Sequence, residues 1–263
     1  MTDDELAVAR AIEALDDSLQ STVEMCEQLD PRQWRLGTAC PGWSVHDQVS
    51  HLAGTESSLV GRPRPAHQVP PLDHVVTDVD REIEIDVDVR RGRASTDVLD
   101  ELREVAAQHI AQLRAQPPDP DTRLPFLGGK HLRALTVLTI RVLDVWTHGE
   151  DIRRAVGYEA DDHSPAAEIA TTQLLRGFAG VVQAAGAAEG SVVQLEITEP
   201  FAFTEVVAID AEPTGAPTAT LRMDVSTFNA LSAGRIPPAN ADVEILGDQP
   251  LARAILAHMA LTP

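Results

Sequence analysis

Aromatic residues are scarce in this chain of 263 residues: Phe, Trp and Tyr together make up 3%. A stacking platform for nucleic-acid bases is therefore not expected, and Ala, Leu and Val must fill the interior. Cysteine is nearly absent. Cys26 and Cys40 are the only two, too few for a disulfide framework in a chain of this size. Positive charge is also in short supply. The 21 basic residues face 41 acidic ones, a formal net charge of −20, and Lys130 is the only lysine. A chain so charged repels nucleic acid and anionic membranes, and no basic cluster offsets it. No apolar run is long enough to cross a bilayer. The opening MTDDELAVAR is acidic with no apolar segment behind it, unlike a signal peptide. A cytoplasmic location follows as the expectation. Oligomeric state stays open.

What is present is helical periodicity. Across residues 3–29, Ile12, Leu15, Leu19, Val23, Cys26 and Leu29 fall at steps of three and four, one apolar stripe. Ser44, with Asp47 in the turn after it, predicts an N-cap and a helix running to about Val60. Residues 62–95 fit both strand and helix. The stripe Val76, Val79, Ile83, Val87 favours helix, since a lone strand would lack a partner. Further helices are predicted over 96–115, 132–156 and 165–185. The texture then changes. SVVQLEIT, FTEVVAID, TATLRMDV and DVEILG read as strands, with short helices at FNALSAG and PLARAILAHMAL. The expected organisation is a helical bundle over 1–186 and a separate α+β domain over 187–263.

The predicted helix 132–156 carries the strongest chemical signal, Arg141-Val-Leu-Asp144-Val-Trp-Thr-His148-Gly-Glu-Asp151. Asp144 and His148 stand four apart, on one face and one turn from each other. Arg141 and Asp151 flank them. Such charges on an apolar helix are costly unless paired or bound to a metal. His51 lies inside the earlier helix, one turn after Asp47, which could orient its ring. One His plus an Asp-x-x-x-His pair gives three N/O donors, the layout of an open divalent-cation site. The same spacing also fits a hydrogen-bonded core His and a surface Asp–His pair. Trp34 and Trp43 read as core plugs beside the loop before the His51 helix, and Cys26 as a packed thiol.

Three ordered blocks carry a resemblance. Trp34…Thr38-Ala-Cys40-Pro41-Gly42-Trp43-Ser44-Val45-His46-Asp47-Gln48…His51-Leu52 and RVLDVWTHGEDIRRAVG are similar to two signatures of the mycothiol-dependent maleylpyruvate isomerase family, within the DinB-like superfamily. The tail, Phe228-Asn-Ala-Leu-Ser-Ala-Gly234-Arg235 with Gly247-Asp248 and a last helix, resembles that family's C-terminal domain. The resemblance implies an N-terminal all-α DinB-like four-helix bundle and a C-terminal α+β domain like sterol-carrier folds. It implies a divalent metal, zinc by preference, held by His51, Asp144 and His148. The family pattern has Glu where this chain has Asp144, one methylene shorter and still a hard oxygen donor. Arg235 matches an arginine of the family proposed to face the site from the C-terminal domain, where it would hold a carboxylate of the substrate; the other reading is a surface salt-bridge residue.

The activity implied is cis-trans isomerisation. The small-molecule thiol mycothiol adds to the double bond of a small carboxylate substrate, the new single bond rotates, and the thiol leaves. The alternatives are a mycothiol S-transferase, or a non-enzymatic module that is metal-stabilised or binds an apolar ligand.

Overall fold

The structure is a computed structural model that describes residues 2–210, 212 and 216–262. The chain divides into two compact units, residues 1–160 and 161–263.

In the first unit, α1 (Asp3–Glu27) starts at a capping box, with Thr2 and Glu5 satisfying each other's backbone N–H groups. Ile12, Leu15, Leu19, Val23 and Cys26 of its expected stripe are buried, while Leu29 lies past the helix end. The second helix, α2 (Val45–Leu59), starts at Ser44, and Asp47 closes its own capping box. Within 62–95 the ambiguous segment is helical: α3 (Asp78–Asp88) is capped by Thr77 and Asp80. Next comes α4 (Ser95–Ala115). A hairpin of β1 (Arg123–Phe126) and β2 (Lys130–Arg133), which the sequence reading did not anticipate, leads into α5 (Ala134–Val156). Neighbouring pairs α1·α5, α5·α2, α2·α4 and α4·α1 pack together, and α3 lies on α2. Leu15, Leu19, Leu52, Leu102 and Ile152 fill the interior, aliphatic as the composition requires.

In the second unit, α6 (Pro165–Leu175) and α7 (Phe178–Ala184) precede β3 (Val192–Ile197), β4 (Phe203–Ala208) and β5 (Ala219–Met223). Then follow α8 (Val225–Ser232), β6 (Glu244–Gly247) and α9 (Gln249–Ala257). The sheet order is β4-β3-β5-β6. Strands β3 and β5 run parallel, and the two outer pairings are antiparallel. Phe178, Phe228, Leu195, Leu221, Leu231 and Ile255 form its core.

Two expectations change. The single helix predicted over 165–185 is broken at Gly177, where Leu261 packs so closely that a Cβ would lie 2.6 Å from its Cδ1. The boundary falls at 160, not 187. Helix α6 buries Ala166, Ala167, Ala170 and Leu174 and packs on α8, where Asn229 Nδ2 donates to Thr171 Oγ1 at 2.9 Å.

Candidate metal centre

Helices α2 and α5 pack side by side in the first unit, and the three predicted donors meet between them. His51, Asp144 and His148 offer ligand atoms that all lie within 4.8 Å of one another. Both imidazoles turn Nε2 toward the carboxylate. His51 Nε2 is 3.4 Å from Asp144 Oδ1 and 3.3 Å from Oδ2. His148 Nε2 is 3.3 Å from Oδ1. The imidazoles are buried, while the Asp144 side chain keeps 30% of its surface exposed. The cluster is thus open on the carboxylate side.

Electrostatics separates the two histidines. Burial pushes the His51 pKa down, against the pull of Asp144, and the nearby His148 and Arg141 act in the same direction as burial. Burial also opposes charge on His148, but the neighbouring carboxylates of Asp144 and Asp151 outweigh that and raise its pKa. Burial resists ionisation of Asp144, yet His51 and Arg141, with the hydrogen bonds from both imidazoles, hold its carboxyl well below the usual carboxylate range.

The surroundings differ in part from the sequence reading. Asp47 does not orient His51. At the third position of α2 its carboxylate reaches back to the cap, where Oδ2 accepts from Ser44 N at 2.8 Å and Ser44 Oγ at 2.7 Å. Its Oδ1 accepts from Arg91 Nε at 3.1 Å. His51 Nδ1 is buried without a hydrogen-bond partner among the described residues. The backing carboxylate belongs instead to His148, whose Nδ1 lies 3.6 Å from Asp151 Oδ2. Gln48 Nε2 donates to that oxygen at 3.3 Å.

Trp43 does more than plug the core. Its ring centroid lies 5.2 Å from that of His51 and 5.7 Å from that of His148. The indole N–H donates to Glu84 Oε2 at 2.9 Å, so α3 fixes the ring against the histidines. His74 approaches the same oxygen at 3.1 Å. That ring is seated over Gly42, whose φ is +77° and where a Cβ would lie 2.2 Å from His74 Nδ1. Only glycine fits there.

Behind Asp144 lies a buried charged row. Arg141 Nε donates to Glu56 Oε1 at 2.8 Å, and Glu56 Oε2 lies 2.5 Å from His109 Nδ1. Burial pushes the Glu56 pKa up, but Arg141 and His109 bring it below its ordinary value. No sequence spacing pointed to this row. Arg235, the predicted substrate-holding residue, lies in the second unit just after α8, where its Nη1 donates to the Ala233 carbonyl at 2.7 Å.

The family model of the mycothiol maleylpyruvate isomerase N-terminal domain matches residues 15–153. The chain belongs to that family. The match covers α2 and nearly all of α5, so His51, Asp144 and His148 all lie within the mycothiol maleylpyruvate isomerase domain. Two solved structures share the fold: crystal structures of the mycothiol-dependent maleylpyruvate isomerase and of a histidine-to-alanine mutant of it. Each is 16% identical, and each match covers 90% of this chain and 92% of the other, with TM-scores of 0.61 and 0.60. No curated protein matches the chain.

Proposed function

We propose that this protein is a metal-dependent enzyme that uses mycothiol to isomerise a small carboxylate substrate of the maleylpyruvate type. The observation that carries the reading is the donor cluster itself. Adjacent donors around a four-coordinate ion with bonds of about 2.0–2.1 Å sit roughly 3.3–3.4 Å apart. His51 Nε2 and His148 Nε2 stand at 3.4 Å and 3.3 Å from Asp144 Oδ1.

In this reading His51, Asp144 and His148 hold a divalent cation, zinc by preference. When bound, such an ion lowers the pKa of a thiol and polarises a substrate oxygen. Asp151 and Gln48 fix the His148 ring, and Trp43 shields the buried side of both imidazoles. The attacking sulfur comes from outside the chain. Cys26 is 1% exposed, and burial pushes its thiol up to about 12, so it holds almost no thiolate at neutral pH. Addition of the external thiolate to the cis double bond forms a C–S bond and turns the C=C into a single bond. After rotation, expulsion of the thiolate restores the double bond in the trans form, with no net change in protons or electrons. Arg235 is proposed to hold a substrate carboxylate. The first unit is read as a DinB-like four-helix bundle and the second as a sterol-carrier-like domain.

The test combines metal analysis of the purified protein with turnover of maleylpyruvate, with and without mycothiol. One divalent ion per chain and thiol-dependent turnover are expected, and both should vanish in His148→Ala. Full turnover without mycothiol, abolished by Cys40→Ser, would overturn the reading and make Cys40 the nucleophile.

A further inference from the structure

The two carboxylate oxygens of Asp144 have different neighbours. Oδ1 faces both imidazoles, 3.4 Å from His51 Nε2 and 3.3 Å from His148 Nε2. Oδ2 accepts from Arg141 Nη1 and lies 3.3 Å from His51 Nε2. Arg141 is itself anchored. Its Nε donates to Glu56, a fully buried carboxylate whose other oxygen is taken by His109. Its Nη2 is buried and has no hydrogen-bond partner among the described residues. Glu56 and Asp144 are thus the acceptors that set where the guanidinium sits. The row runs from His109 on α4 through Glu56 on α2 to Arg141 on α5, and ends on the triad's carboxylate.

A buried guanidinium is a poor way to fill space, since an apolar side chain of similar volume packs as well without the desolvation cost. What the guanidinium offers instead is direction, a planar fork that binds one acceptor on each edge. We propose that Arg141 is a positioning residue for Asp144: anchored by Glu56 and His109, it claims Oδ2 and leaves Oδ1 as the oxygen that the carboxylate offers to a cation. This inference rests on the metal-binding reading above. Without the anchor, the carboxylate turns about its last bond and presents both oxygens, which raises the coordination number and loosens the site. Partners that orient a metal ligand in this way typically change metal affinity roughly 10- to 100-fold.

Cobalt(II) alone is a suitable probe, because its visible absorption is intense when four-coordinate and weak at higher coordination. Three variants separate the effects. Arg141→Met removes the fork. Arg141→Met with Glu56→Gln also removes the charge that the single change would strand. Glu56→Gln keeps the guanidinium but weakens its anchor. Each is first checked for native helicity by circular dichroism. The wild type should bind one cobalt per chain with an intense band. The two Arg141→Met variants should bind roughly 10- to 100-fold more weakly and lose band intensity, and Glu56→Gln should fall between. A wild type that takes up no cobalt would overturn the metal reading and this inference together. Cobalt binding by the wild type, with unchanged affinity and spectrum in any folded Arg141→Met variant, would overturn this inference alone. So would weaker binding with an unchanged spectrum, which would report packing and not orientation.

Discussion

The two thiols show how far one residue's surroundings decide its chemistry. Cys26 lies on the apolar stripe of α1 with 1% of its surface exposed. Burial raises its pKa to about 12, with Arg153 pulling weakly the other way. Cys40 is half-buried in the loop before α2, where its backbone N–H donates to Thr38 Oγ1 at 3.3 Å. Only a thiolate reacts quickly with an alkylating reagent, and only where the reagent can reach it. Iodoacetamide at pH 8 should therefore modify Cys40 in the folded protein and leave Cys26 untouched until denaturant is added. Peptide mass spectrometry checks this, and rapid native labelling of Cys26 would show that α1 opens far more readily than its packing implies.

Among the elements, the junction of α3 and α4 depends on one carboxylate. Glu101 on α4 accepts from Arg90 Nη2 at 2.6 Å and from Arg90 Nε at 3.2 Å, and also pairs with Arg93. Burial raises its pKa, but the hydrogen bonds and charges of Arg90 and Arg93 prevail and lower it to about 2. A depressed carboxyl stabilises the fold at pH above its unfolded value and loses that contribution as pH falls through its folded value. The Glu101 contribution is thus complete above about pH 4.5 and fades toward pH 2. It amounts to about 2 kcal/mol once solvent screening is allowed for. Glu101→Gln should lower the thermal midpoint by several degrees at pH 7 and make little difference near pH 2. An equal loss at both values would mean that the ion pair contributes nothing and that shape alone matters.

What could be read from the sequence follows the same division between local and distant interactions. The Ser44 cap, the stripe of α1 and the Asp144/His148 pair are encoded within a turn or two, so spacing was enough to find them. The tight seat of Gly177 was hidden, because the side chain that packs on it, Leu261, lies far along the chain. The β1–β2 hairpin was hidden because RLPF and KHLR are short, lack alternation and include a proline. The Glu56–His109 and Glu56–Arg141 contacts join residues 53 and 85 positions apart, and no periodicity reports such a pairing. Asp47 misled for a related reason. Its spacing to His51 suits a ligand-orienting carboxylate, but the cap at Ser44 is nearer and competes for the same oxygens.

For the whole molecule, metal binding and stability are linked. A cation that binds only the folded chain stabilises it by RT ln(1 + [L]/Kd), about 2.7 kcal/mol at a hundredfold excess over Kd. The three donors come from α2 and α5, so the ion would add a third tie between two helices already joined by the Arg141–Glu56 ion pair and the Gln48–Asp151 hydrogen bond. Its effect should appear wherever opening requires those helices to part. Cooperative units of a protein open separately, and the strands β3 to β5 belong to a different unit from the donors. Hydrogen exchange followed by mass spectrometry should therefore show protection rising in α2 and α5 when zinc is added to chelator-treated protein. Exchange in β3, β4 and β5 should stay unchanged, and His148→Ala should abolish the zinc response. Zinc-induced protection confined to the second unit would move the metal away from His51, Asp144 and His148. Uniform protection over both units would mean that the chain opens as one cooperative body.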